Sequence, residues 1–176
     1  MKYLFFVITV FLFVFSSCAV LKTKNIVYNK EHDLRLDVYS PKKVDKPKKV
    51  LVFIHGGNWV HGKKSIYKFF GKGFAKKGIV TVIINYRLSE NVTYDSLTIN
   101  SAMAVKWVKQ NIGQYNGDTN SIFVSGHSAG GHLAALIATD DSYFNKLNIR
   151  NPIKGTILID AFGLDMYTYL STNKSE

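Results

Sequence analysis

The chain has a single cysteine, Cys18, in 176 residues, so no disulfide can form within it. Acidic side chains are scarce too: 12 Asp and Glu face 23 Lys and Arg, a formal charge of +11. No cysteine pair exists, and the histidines at 32, 55, 61, 127 and 132 lack ligand spacing, so no metal centre is expected. Neither a G-x-x-x-x-G-K-S/T phosphate loop nor a dinucleotide G-x-G-x-x-G is present, and no cofactor is implied. There is no internal repeat and no low-complexity segment. The positive charge does not indicate nucleic acid, because no binding motif accompanies it and the N-terminus carries an export signal.

That signal occupies residues 1–17. Lys2 supplies a positive start, Leu4 to Phe15 an apolar core, and Ser16-Ser17-Cys18 a small-residue cleavage site. The apolar run is short for a membrane span. Cys18 after Ser-Ser resembles a bacterial lipobox, with Phe15 where leucine is usual. The expected outcome is cleavage before Cys18, a lipid on its sulfur, a tether over 18–24 and a folded domain over 25–176. This reading exports the protein to the bacterial cell envelope and holds it at the membrane; a plain secretory peptide and an uncleaved anchor are the alternatives. Much of the charge lies in two places. Lys42, Lys43, Lys46, Lys48 and Lys49 share a Pro-containing loop, and Lys64, Lys68, Lys72 and Lys76 recur at helical spacing. Such a stripe reads as a solvated helix face, and a basic face also suits an anionic lipid surface.

The most informative stretch is Ile122-Phe-Val-Ser-Gly-His-Ser-Ala-Gly-Gly-His132. An apolar strand runs into Gly126-His127-Ser128-Ala129-Gly130 and then into a helix of small residues, the context that a G-x-S-x-G nucleophile elbow requires. The helix would point its positive end at Ser128, which favours an anionic intermediate. Acyl transfer also needs an oxyanion hole, a base and a group that orients the base. Lys49 to Ile54 is a continuous apolar run of the kind found in a buried central strand, and it ends in His55-Gly56-Gly57-Asn58-Trp59. Glycines just after a strand allow backbone N–H groups to turn toward an oxyanion. The candidates are the N–H groups of Gly57, Asn58 and Ala129. His55, Gly56 and Trp59 are candidate lining for the substrate pocket.

Together, His55–Trp59 and Gly126–Gly131 resemble the H-G-G-x-W and G-H-S-A-G-G motifs of the α/β-hydrolase superfamily. The similarity is greatest to its esterase and kynurenine-formamidase-like group, related to the hormone-sensitive-lipase type. Asn85-Tyr86-Arg87-Leu88 resembles the N/D-Y-R-L turn of the same group, and the match runs from about Asp33 to about Asp165. The resemblance implies a serine hydrolase of small-molecule carboxylic esters, or of aryl formamides, with Ser128 as nucleophile.

The base and the acid are harder to place. The superfamily order is nucleophile, acid, histidine, with both partners on loops after later strands. Only His132 follows Ser128, one helical turn along the same helix, where a packing role is expected. The acids after Ser128 are Asp140, Asp141, Asp160, Asp165 and Glu176. Asp160 and Asp165 are expected to line a pocket or cap a turn.

The elements expected are strands at 25–28, 34–39, 50–54, 80–84, 121–125 and 155–159, with helices near 65–77, 94–112 and 128–139. Leu97, Ser101, Ala104, Val105, Val108 and Ile112 form a stripe that would pack helix 94–112 on the sheet. The alternation implies an α/β fold with a doubly wound, mostly parallel sheet. One strand follows the nucleophile where the superfamily has about two further strand–helix units. The chain therefore reads as a partial α/β-hydrolase domain, inactive as written, with Thr156–Ile159 as an uncovered apolar edge. A non-catalytic ligand-binding pseudoenzyme is the second reading.

Overall fold

The computed structural model describes residues 20–88, 93–165, 168 and 171. The signal segment and Cys18 lie outside the described residues. Six strands form one sheet in the order β1-β2-β4-β3-β5-β6. They are β1 (Val20–Asn29), β2 (Leu34–Pro41), β3 (Lys48–Ile54), β4 (Val80–Ile84), β5 (Gly117–His127) and β6 (Ile153–Ile159). β3 to β6 run parallel, and the antiparallel hairpin β1–β2 is added at the β4 side. The helices are α1 (Lys68–Lys76), α2 (Tyr94–Asn111), α3 (Ala129–Thr139) and the short α4 (Ser142–Asn145). Among the described residues no helix is long and apolar enough to cross a membrane.

The central strands follow from their composition. Val50–Ile54 and Val80–Ile84 are apolar apart from Thr81 and buried throughout, as strands covered on both faces must be. α2 and α3 cover one face, packing on Leu36, Val38, Val52, Ile54, Val82, Ile84 and Val124. α1 covers part of the other, where Ala75 meets Tyr39, Phe53 and Ile83. The expected α2 stripe is the buried one: Leu97, Ser101, Ala104, Val105 and Val108 are all inside, and Ile112 follows in the 3-10 turn Ile112–Tyr115. Thr93 caps the helix by accepting the N–H of Ser96 at 3.4 Å, and Asp95 sits in its positive first turn.

Three local differences from the sequence reading have physical causes. Residues 20–24, expected as tether, form the first half of β1, because a bulge between Thr23 and Ile26 lets the strand resume pairing with β2. Asn25 adopts φ 58° at that bulge. α4 was not anticipated; it is one turn long, and it exists because Tyr143 and Phe144 are buried beneath it. Third, Lys64 is not on a solvated face. It lies in the 3-10 turn Lys64–Tyr67 that precedes α1, and only 8% of it is exposed. Its Nζ donates to Asp37 Oδ1 and Asn25 Oδ1, each at 2.7 Å, while Lys22 Nζ stands 3.5 Å from Asp37 Oδ2. Lys68, Lys72 and Lys76 are exposed, as the stripe implied.

At the far side of the sheet β6 pairs only with β5 among the described residues, and Ile157, Leu158 and Ile159 are 54%, 41% and 38% exposed. The apolar edge expected at Thr156–Ile159 is therefore present.

Burial raises the proton affinity of Asp37, but the hydrogen bonds from Lys64 and Asn25 and the charges of Lys64 and Lys22 outweigh it, leaving its pKa below the ordinary carboxylate value. A carboxylate with a lowered folded pKa stabilises the fold fully above its unfolded pKa, and that contribution fades as pH falls through the folded value. Asp37→Asn should lose about 3 kcal/mol at neutral pH by stranding the Lys64 ammonium, with a smaller loss in Asp37→Leu/Lys64→Met. Urea unfolding measured from neutral to acidic pH checks both, and the gap between Asp37→Asn and the parent should narrow in acid.

Candidate active site

β5 stops at His127 and α3 starts at Ala129, so the reversal between strand and helix falls on Ser128 alone. Its backbone sits at φ 52°, ψ −122°, a conformation that costs a non-glycine residue about 1–3 kcal/mol. The surroundings hold it there. Its N–H donates to Ile159 O at 3.0 Å, and its carbonyl accepts the N–H groups of Gly131 at 2.8 Å and of His132 and Phe162 at 3.3 Å.

The turn can be this sharp only because the backbones touch. A Cβ on Gly126 would lie 2.0 Å from Gly130 O, and one on Gly130 would lie 2.3 Å from Ile54 O. The end of β3 is thus packed directly beneath α3. From there the chain enters His55–Trp59, and a Cβ on Gly56 would stand 3.1 Å from Ser128 Cβ. The glycine turn and the elbow, 72 positions apart in the chain, are in contact. Gly57 adopts φ 131°, and Asn58 and Trp59 are left-handed at 49° and 63°. No acceptor among the described residues engages the N–H groups of Gly57, Asn58 or Ala129.

His55, expected in the pocket lining, is fully buried and lies beneath the turn instead. Its ring stacks on Tyr86 at 4.5 Å, and the Tyr86 hydroxyl donates to His55 O at 3.0 Å. Its Nδ1 is 2.9 Å from Gly56 O; a carbonyl only accepts, so Nδ1 carries the proton. Burial lowers its pKa and the bond to Gly56 opposes that only in part, so the ring is neutral. Gly56 is buried as well, whereas Trp59 is half exposed beside the elbow. The Trp59 ring meets His132 edge-on at 5.7 Å and Phe162 at 6.2 Å.

His132 is buried among aromatics, with Tyr94 at 6.0 Å on another side, and burial lowers its pKa. It packs, as expected. His127 points to the 3-10 turn before α1, where its Nδ1 is 3.0 Å from the Tyr67 hydroxyl. Asp160 is exposed at φ 46°, and Asp165 caps a turn by accepting Thr168 N–H at 3.0 Å. Among the described residues no histidine is hydrogen-bonded to the Ser128 hydroxyl, and no group of His, Cys, Asp and Glu is arranged for a metal.

The sequence reading missed how the turn is held. Asn85, from the N-Y-R-L segment, accepts the Lys64 N–H at 2.7 Å through its side chain, and its carbonyl accepts the Tyr28 hydroxyl at 2.5 Å. The motif marked Asn85 and Tyr86, but only the fold shows that both secure the loop carrying the glycines.

A mostly parallel sheet with a strained serine between strand and helix, faced by a glycine turn, is the architecture of an α/β-hydrolase of the esterase type. Within that class the chain belongs to the BD-FAE family, whose model matches residues 36–175. It is 34% identical over 112 residues to the probable isoprenylcysteine alpha-carbonyl methylesterase ICME of Oryza sativa subsp. japonica, an alignment taking in 64% of this chain and 27% of that protein. Kynurenine formamidase of Salmo salar is 28% identical over 152 residues, with 86% of this chain and 49% of that protein covered. The butyrate-bound esterase 2 of Thermogutta terrifontis superposes with a TM-score of 0.66 at 26% identity, covering 83% of this chain and 54% of that one. The chain spans about a fifth to a half of the length of the curated relatives it matches.

The packing of the elbow makes a paired test. Gly126→Ala must push Gly130 away and should cost about 3 kcal/mol. Gly73→Ala, in α1 with nothing within 4 Å of the added carbon, should gain about 0.5–1 kcal/mol. Thermal unfolding of both variants beside the parent reads the contrast.

Proposed function

We propose that Ser128 is the nucleophile of a carboxylic ester hydrolase. The observation that carries this reading is the strained serine backbone at φ 52°, ψ −122° with the glycine turn packed against it. Strain of this kind is held where the hydroxyl must stand clear of the sheet. In the reaction, Ser128 Oγ attacks the acyl carbonyl while its proton passes to water and the C=O electrons move onto oxygen. Collapse of that intermediate breaks the ester C–O bond, the alcohol leaves with a proton from water, and a second water hydrolyses the acyl-serine to the acid. The N–H groups of Gly57, Asn58 and Ala129 receive that oxyanion, helped by the N-terminus of α3. Trp59 forms a wall for the acyl group, and His55 supports the turn from below. The substrate is a small carboxylic ester, in keeping with the names of the relatives; the formamidase likeness makes an aryl formamide the second substrate class.

A non-catalytic ligand-binding role is the second reading, favoured by the lack of any described histidine bonded to the Ser128 hydroxyl. Catalysis from an oxyanion hole without its base is residual. The chain should therefore react slowly with a fluorophosphonate probe and turn over p-nitrophenyl butyrate weakly, and Ser128→Ala should abolish both. Labelling that persists in Ser128→Ala would remove Ser128 as nucleophile. A complete lack of labelling with ester still bound would leave the binding role.

We also propose that the protein is exported, cleaved before Cys18 and lipidated there, which holds it at the membrane of the bacterial cell envelope. Radiolabelled palmitate should enter the chain in growing cells, and Cys18→Ala should eliminate that label and release the protein from the membrane fraction. Label retained in Cys18→Ala would overturn the assignment.

A further inference from the structure

The outward face of α1 combines two features that a solvated helix does not need together. Phe69 is 72% exposed and Ile66, in the preceding 3-10 turn, is 61% exposed. Helical spacing sets Phe69 beside Lys72, Gly73 and Lys76, at i+3, i+4 and i+7, in the middle of the outward face. The inward face is made by Gly71 and Ala75, which are buried against the sheet. The aromatic ring is therefore not left out for want of a place in the core, since α1 already buries a different stripe. Lys68 Nζ lies 4.9 Å from the centre of the Phe69 ring.

The charge around it has one sign. No acidic residue occurs between Asp45 and Glu90. Among the described residues none of Lys68, Lys72, Lys76 and Lys77 has a carboxylate partner, in contrast to Lys64, which is withdrawn into its pair with Asp37. Beyond the C-terminal half of α1, Lys49 and Phe74 border an apolar recess of about 210 Å³ with Leu51, Phe123 and Ile157. A face of exposed apolar side chains ringed by unpaired lysines is the pattern of a helix lying in a lipid interface. Phosphates attract the ammonium groups, and the apolar side chains enter the acyl boundary. Nucleic acid would use the lysines but would offer Phe69 and Ile66 no apolar phase.

We infer that α1 and its preceding turn form a docking surface for an anionic lipid bilayer, with Phe69 and Ile66 inserted and Lys68, Lys72, Lys76 and Lys77 on the headgroup phosphates. The glycine turn leads directly into this segment, so docking sets the mouth of the candidate site beside the bilayer. The surface stands independently of the chemistry at Ser128 and of a lipid on Cys18.

The test is co-flotation of the full chain with phosphatidylcholine vesicles, with and without phosphatidylglycerol. Residues 1–17 and the lysines outside α1 contribute the same to every variant, so the change in anionic preference between the parent and the α1 variants reports on α1. The parent should prefer the anionic vesicles, and added salt should remove most of that preference. Lys72→Gln/Lys76→Gln should reduce it about twenty-five-fold, at about fivefold per lysine, and Phe69→Ser about tenfold. All of these positions are exposed, and unchanged circular dichroism will show that the variants fold. In Phe69→Trp the introduced indole should be quenched by brominated acyl chains on anionic vesicles only. Equal binding to both lipids, a preference untouched by these substitutions, or binding to duplex DNA in place of vesicles would overturn the inference.

Discussion

Everything at the candidate site depends on how closely α3 approaches the end of β3. An added carbon on Gly130 would reach within 2.3 Å of Ile54 O, so backbone meets backbone with no side chain between. This contact compresses the strand-to-helix reversal into one residue and places the strain on Ser128. It also brings the chain that leaves β3 alongside that residue. The glycine turn and Ser128 are in contact because one interface is too thin to admit a methyl group. Interiors pack too densely for such an interface to give way smoothly.

A second layer holds the turn from the other side. Tyr86 supports His55 by stacking and by a bond to its carbonyl, Asn85 takes the Lys64 N–H, and the Lys64 ammonium crosses to Asp37 and Asn25. The polar atoms thus connect β1, β2, the segment that follows β4 and the segment leading into α1. A buried ion pair of this kind contributes little net stability against apolar residues of equal volume, but losing one partner is costly. Its consequence here is positional: Lys64 ties the glycine loop to the hairpin, and the same lysine stripe continues outward along α1. One repeat of lysines therefore has two roles, divided by which residue falls in the 3-10 turn and which on the open helix face.

Much of this was legible before the structure. The G-x-S-x-G sequence, flanked by an apolar strand and a small-residue helix, located the elbow, and the α2 stripe from Leu97 to Ile112 named its buried face. Lys64 was misread because helical periodicity does not reveal that a helix begins with a 3-10 turn folded against β2. Likewise, within the tether expected over 18–24, the strand at 20–24 was not foreseen, because a strand at the sheet margin, half exposed and rich in lysine, has a weak apolar signal and acquires its order from its partner. His55 looked like pocket lining on position alone; the stacking on Tyr86 that buries it comes from the segment just after β4, 31 residues away.

By itself the sequence determined the class of fold, the place of the serine between strand and helix and the glycines around it. Each of these rests on local chemistry: apolar runs that must be buried, and close backbone contacts that exclude any Cβ. Only the tertiary structure decided that the glycine turn packs against Ser128, that the His132 ring meets Trp59, that Lys64 turns inward, and that Phe69 is left on the outside among lysines. Those outcomes depend on neighbours far apart in the chain, and no short pattern of residues encodes them.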